Sequence, residues 1–367
     1  MDRLVHDSYI VEIETPHIYV DNKSRRRSGH MTHALARFSE TEFIDFNSNC
    51  SAIRCGGHSP YGYIEYRLSG DSGNTYSEVQ ALPYSVECIM DGIYAISVEK
   101  SVACDDGTLV AFGLRNSVDS ACCEPWHSPT VVTSKDKGKT WSEAHELCPY
   151  EGRIYDALYR DGVIYVLEFC NKNFFGTTEE HVYRLFVSLD NGSTFQERCV
   201  LPINGMDHSY ASMLFDAEGN LHVYAYCGTN EQNFDHIISA DCGRSFQILE
   251  PCFVRDGARN PQIALIDGVY ILHGRAIDRK GFMIYSSLDG QHWDNGVRLA
   301  EKTHLAGAFY SNNLNLKDEN GEFLLVQFSE TYTDDPDAYY VATVNVMHTR
   351  IRIRKHKEIA ATDLLRK

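Results

Sequence analysis

The feature that most constrains this 367-residue chain is an eight-residue unit that keeps returning. SGDSGNTY (Ser69–Tyr76), SKDKGKTW (Ser134–Trp141), SLDNGSTF (Ser188–Phe195) and SADCGRSF (Ser239–Phe246) all read Ser-x-Asp-x-Gly-x-Ser/Thr-aromatic, and SLDGQHW (Ser287–Trp293) is one residue shorter. Their successive spacings of 65, 54, 51 and 48 residues match small β-sheet repeats and mark blade-sized units. The unit reads as a hairpin turn. Asp accepts hydrogen bonds from turn N–H groups, Gly supplies a positive φ, and the aromatic plugs the hairpin onto its sheet.

A second unit, an apolar strand, a short acidic or Gly turn and another apolar strand, precedes each turn and occurs a sixth time, from Leu314, with no Asp turn after it. It appears as ALARFSETEFIDF from Ala34, SVACDDGTLVAFGLR from Ser101, ALYRDGVIYVLEF from Ala157, SMLFDAEGNLHVYAY from Ser212, QIALIDGVYILHGR from Gln262 and LNLKDENGEFLLVQF from Leu314. Two strands, then a third running into the Asp turn, make a four-stranded blade, and six copies predict an all-β, six-bladed β-propeller. The expected blades are 23–80, 90–145, 150–200, 205–250, 255–297 and 303–350, all in one domain spanning 1–367. The early segment SYIVEIE, residues 8–14, is expected to close the ring by pairing into the last blade. The tail RIRIRKHKEIAATDLLRK reads as a final strand followed by a short solvated helix.

Composition excludes several functions. A net charge of −17 argues against a nucleic-acid surface, which needs clustered Lys and Arg. No apolar run reaches signal-peptide or membrane-span length, so the expected location is cytoplasmic, with no membrane partner. The twelve cysteines then read as free, mostly buried thiols. No nucleotide loop or zinc spacing is present, and no cofactor or metal is expected.

Asp turns in a six-unit array resemble the Asp-box, or BNR-repeat, propellers of the sialidase superfamily. That resemblance implies a sialidase-like glycoside hydrolase fold, whereas chemistry must come from the residues converging on the axis. Residues just before each first strand and just after each second strand list the candidate pocket. The starts are His30, Thr32 and His33; Glu99 and Lys100; Tyr155 and Asp156; Asp207, His208 and Tyr210; Arg259 and Asn260; and Tyr310, Asn312 and Asn313. The returns are Asn47, Asn49, Arg115, Glu168, Tyr226, Arg275 and Glu330. Convergent acids, bases and arginines at one mouth are what a catalytic pocket requires.

AFYSNNLNLKDENGEFLLVQFSE is similar to the family's final blade, which implies Tyr310 as nucleophile, with Asp207 near the expected position of its carboxylate partner and Asp156 or Glu168 as alternatives. The family's arginine clamp on a sugar carboxylate implies Arg279, with Arg275, Arg259 and Arg115 as further contributors. Two departures stand out. SGHMTHALARF carries His30 and His33 where the family has Arg-Ile-Pro, and GGHSPYGYIEYRLSGDSG offers only His58 where it has an acidic proton donor. The nearby Arg25, Arg26 and Arg27 read as a solvated loop. The expected activity is exo-hydrolysis of a terminal, possibly acidic, sugar from an oligosaccharide. Elimination at a uronate by His/Tyr chemistry and glycan binding without catalysis are the alternatives.

Overall fold

The computed structural model describes residues 1–52, 61–118, 127–171, 176–302, 308–333 and 343–355. Six antiparallel sheets stand around an axis as a six-bladed β-propeller. The inner strands are Leu35–Arg37, Tyr94–Ala103, Arg153–Arg160, His208–Phe215, Arg259–Ile266 and Ser311–Asp318. In blades 2 to 5 three further strands follow outward in chain order.

Blade 6 closes the ring as expected. Its last described strand, Val344–Lys355, pairs with Tyr9–Ile13 (Tyr9 opposite Lys355, Ile13 opposite Ile351), and Asp2–Val5 pairs beyond it, so the N-terminal segment supplies the two outermost strands of the final sheet. That strand takes in RIRIRK of the tail; the expected helix after it lies outside the described residues. Blade 1 departs from the pattern at its inner edge, where a helical turn at Asn22–Arg25 leads into a two-residue strand, Arg27–Ser28. Two of the three arginines there are engaged, whereas Arg26, the left-handed cap of that turn, stays exposed. Arg25 makes a bidentate pair with the buried Glu65 at 2.5 and 2.9 Å, and Arg27 binds the side chain and carbonyl of Asn49 at 2.5 and 2.6 Å.

The apolar core lies between the blades. One layer, for example, joins Phe46, Tyr66, Ile96 and Val98 of blades 1 and 2. Another joins Phe282 and Ile284 of blade 5 to Val326 and Phe328 of blade 6. Because each sheet is covered on both faces, its strands are apolar at nearly every position, as in VIYVLEFC (Val163–Cys170).

The five Asp turns share one hydrogen-bond set. In blade 2, Asp136 accepts from the Thr140 amide at 2.8 Å, the Thr140 hydroxyl at 2.7 Å and the Ser134 hydroxyl at 2.9 Å, while Ser134 Oγ accepts from the Gly138 amide at 2.7 Å. In the shortened turn the His292 ring replaces the missing hydroxyl, 2.8 Å from Asp289. The aromatics do more than plug their own hairpins. Trp141 packs on Tyr66 and Phe46 of the preceding blade, Phe195 on Phe112 and Trp293 on Tyr224, so each ties one blade to the one before it. Gly138 sits at φ 90° and so close to Tyr66 that a Cβ would lie 3.0 Å from the ring. Both conditions favour glycine.

Among the described residues the nine cysteines are free, no group of acidic, His and Cys side chains has a metal-holding arrangement, and no helix is long and apolar enough to cross a membrane.

Candidate functional site

The inner strands would be regular ladders except at one level near their starts. In blade 2, Phe112 faces Lys100 and Gly113 faces Val98, leaving Glu99 unpaired. Blade 3 skips Tyr155, blade 4 skips Ser209 and Tyr210, and blade 5 skips Asn260 and Pro261. A bulge re-aims the extra residue. Here four bulges at the same height turn Glu99, Tyr155, Tyr210 and Asn260 into one axial pocket, which Tyr310 completes. Tyr310 is set by strain of its own. Phe309 before it adopts φ 72°, rare for a bulky side chain, and Ser329 holds both residues through bonds to the Phe309 amide (2.8 Å), the Tyr310 amide (3.1 Å) and the Tyr310 carbonyl (2.9 Å).

At the centre lies Arg153, only 1% exposed. Its guanidinium is 4.9 Å from the ring centre of Tyr210, 5.5 Å from Tyr155 and 5.7 Å from Tyr310. Glu99 neutralises it through three contacts of 2.5, 2.7 and 3.0 Å. Burial raises the Glu99 pKa while the adjacent Arg153 opposes the shift. The Tyr310 and Tyr210 hydroxyls are 3.0 Å apart. Burial, then Tyr210, hold the Tyr310 pKa well above that of an ordinary phenol, while Arg153 and Arg275 pull it down. The His30 ring meets Tyr310 edge-on at 4.9 Å. Burial, with His33, Arg275 and Arg153 close by, pushes its pKa down to about 3, so it is a neutral imidazole at physiological pH.

The candidates from the sequence divide accordingly. Tyr310, Tyr210, His30, Arg259 and Arg275 come together: Arg259 and Arg275 are cross-strand partners in blade 5, and Arg259 contacts Glu231 at 3.4 Å and lies over Tyr226 at 5.8 Å. His33 also lines the pocket, its ring bound to the His30 carbonyl at 3.0 Å and to Gln327 at 3.2 Å. Asn312 sits deeper, 3.0 Å from Lys100, in a plug that also contains Gln262 and Asp156.

The remaining candidates lie apart from Tyr310. Asp207 is exposed in a left-handed turn, and the group at the Tyr310 hydroxyl is Tyr210. Glu168 is buried behind the pocket wall, where Cys148 Sγ donates to it at 2.9 Å and burial pushes its pKa up to about 7. Arg115 pairs with Glu146 at 2.7 Å, His208 with Asp235 at 3.2 Å and Glu330 with Lys302 at 2.6 Å. Arg279 occupies the turn after the second strand of blade 5. His58 lies outside the described residues. Arg153 was not among the candidates, and because the bulge at Tyr155 interrupts the alternation of the strand, no spacing rule places it on the axis.

The pocket between Tyr310, Arg153 and Asn260 encloses only about 30 Å³. Below the Lys100 plug, a funnel of about 950 Å³ opens at the opposite mouth, walled by the far ends of the inner strands.

No family model and no curated protein matches the sequence. Solved structures do match in shape. A protein of unknown function from Dyadobacter fermentans superposes with a TM-score of 0.67 at 13% identity, covering 94% of this chain and 99% of that one. A K499G mutant of the NanB sialidase from Streptococcus pneumoniae gives 0.64 at 11%, covering 91% and 70%. The intramolecular trans-sialidase from Ruminococcus gnavus, solved with oseltamivir carboxylate, gives 0.61 at 11%, covering 93% and 97%. The chain is thus a sialidase-like six-bladed propeller. At these identities the likeness is one of fold.

Proposed function

We propose that this protein is a glycoside hydrolase that releases a terminal acidic sugar, with Tyr310 as nucleophile. The observation that carries the reading is the buried Tyr310–Tyr210 hydroxyl pair set against Arg153, with Arg259 and Arg275 acting on the same phenols. In this reading the Tyr310 oxygen bonds to the anomeric carbon as the glycosidic bond breaks, and the phenolic proton passes to Tyr210, which relays it to pocket water. The guanidinium groups stabilise the phenolate character that develops and attract the sugar carboxylate. Water then cleaves the tyrosyl–sugar bond. His58 is the proposed donor of the proton taken by the leaving oxygen.

One observation favours a second reading. The partner of Tyr310 is a phenol, which cannot be a final base, and a paired phenol beside arginine also suits elimination. There the hydrogen α to a uronate carboxylate is removed, the glycosidic bond breaks and a C=C bond forms. The test is a panel of chromogenic sialic acid and uronic acid glycosides and of uronate oligosaccharides, assayed with the wild type and Tyr310→Phe. Chromophore release that falls about a thousandfold or more in the variant supports hydrolysis. An unsaturated product absorbing in the ultraviolet overturns hydrolysis in favour of elimination, and binding without turnover overturns both.

A further inference from the structure

Asn260 is anomalous among the residues of the axial pocket. It is 4% exposed, it is held at φ 56°, and neither its side-chain oxygen nor its nitrogen has a hydrogen-bond partner. Buried amides are nearly always paired, and a left-handed backbone at a non-glycine residue costs free energy that the fold must offset. Its neighbours around the pocket are engaged: Arg153 with Glu99, Tyr210 with Tyr310, and Lys100 with Asp156 and Asn312. The bulge that skips Asn260 and Pro261 places Asn260 in the pocket lining. An amide presents one acceptor and two donors, which matches a hydroxyl group, itself both donor and acceptor. A space of about 30 Å³ admits a substituent of a few heavy atoms but no sugar ring.

We infer that Asn260 is a specificity-determining residue that recognises one neutral hydroxyl-bearing substituent of the sugar, inserted into the pocket while the ring sits above it. This rests on the acidic-sugar reading and adds what that reading lacks, a contact that carries no charge. A site built to bond a hydroxyl rejects the analogue without it, because its own polar atoms stay unpaired.

The test measures affinities, by calorimetry, of the methyl glycosides of N-acetylneuraminic acid and glucuronic acid and of their monodeoxy derivatives, for the wild type and Asn260→Leu. The wild type should bind one deoxy derivative about ten- to a hundredfold more weakly than its parent. Asn260→Leu should bind the parent more weakly by a similar factor and no longer distinguish that derivative. Asn260→Gly, which adopts the left-handed backbone freely and removes the amide, serves as the second variant should leucine prevent folding. If a parent glycoside binds and a folded variant discriminates as the wild type does, this inference falls alone. If neither parent binds the wild type, the acidic-sugar reading falls with it.

Discussion

The two ends of the propeller axis are walled by the same six inner strands, yet they are built differently. At the Tyr310 end, four strands bulge, two of the pocket-lining residues or their neighbours are held in left-handed conformations, and phenols surround a buried arginine beside a free space of about 30 Å³. At the other end the ladders are regular and the funnel is some thirty times larger, but charges in its wall pair close to solvent, among them Glu42 with Lys137 at 2.6 Å and Arg160 with Asp161 at 3.1 Å. Volume and backbone irregularity therefore point to opposite ends of the axis. What distinguishes the Tyr310 end is backbone irregularity that brings desolvated polar groups together, an arrangement that costs stability and persists where the surrounding structure enforces it.

The largest expected effect breaks or confirms that contrast directly. Lysine at position 153 keeps the charge but loses both the fork that binds Glu99 and the planar face that lies against the tyrosines. Arg153→Lys should lower kcat/KM on the glycoside identified by the panel about a hundredfold. Arg160→Lys in the funnel should leave it within about twofold. The opposite outcome would move the site to the funnel.

A second experiment asks whether every polar group at the Tyr310 end belongs to the site. Glu168 is fully buried near that rim, but its contacts run to Cys148 between blades 2 and 3. Its folded-state pKa of about 7 lies above the unfolded value, so folding favours the neutral carboxyl. The stabilisation is full below about pH 4.5 and is lost as pH rises through 7, up to an upper bound of about 3 kcal/mol. Glu168→Gln should remove that slope when denaturant unfolding at pH 5 is compared with pH 8, while turnover stays near wild type. Lost turnover with an unchanged slope would restore Glu168 to the catalytic candidates.

These contrasts also explain what the sequence made legible. The turns announce themselves because the same local requirements recur five times: a carboxylate to accept amides, a glycine at positive φ and an aromatic to bury. Ring closure by residues 8–14 was readable as an unpaired apolar strand at the chain start. The pocket was less so. Polar residues at strand starts pointed to Tyr310, Tyr210 and His30, but a bulge has no fixed signature, so nothing local showed that Glu99 would reach Arg153 or that Tyr210, three residues past Asp207, would meet Tyr310. Nor could spacing reveal that Glu168 faces a thiol between blades, because that depends on which side of the sheet each blade presents to its neighbour.

The smallest effect tests the rim against the hub. If stability resides in the repeated turns and function at the bulged level, removing one turn carboxylate should cost a little stability and no activity. Asp136 is partly exposed, and the Thr140 hydroxyl and amide that bond it lower its pKa to about 2. A depressed pKa means that the stabilisation is present above the unfolded value near 4 and disappears as pH falls through about 2. Asp136→Ala should therefore lower Tm by about 1–4 °C at pH 7, with the gap from wild type narrowing as the pH is taken from 4 towards 2. The Trp141 anchor on the preceding blade limits the damage, since burying a large aromatic contributes about 1.5–3 kcal/mol that this substitution leaves in place. A loss of turnover without a fall in Tm would show that rim and hub are coupled, and would break the division between them.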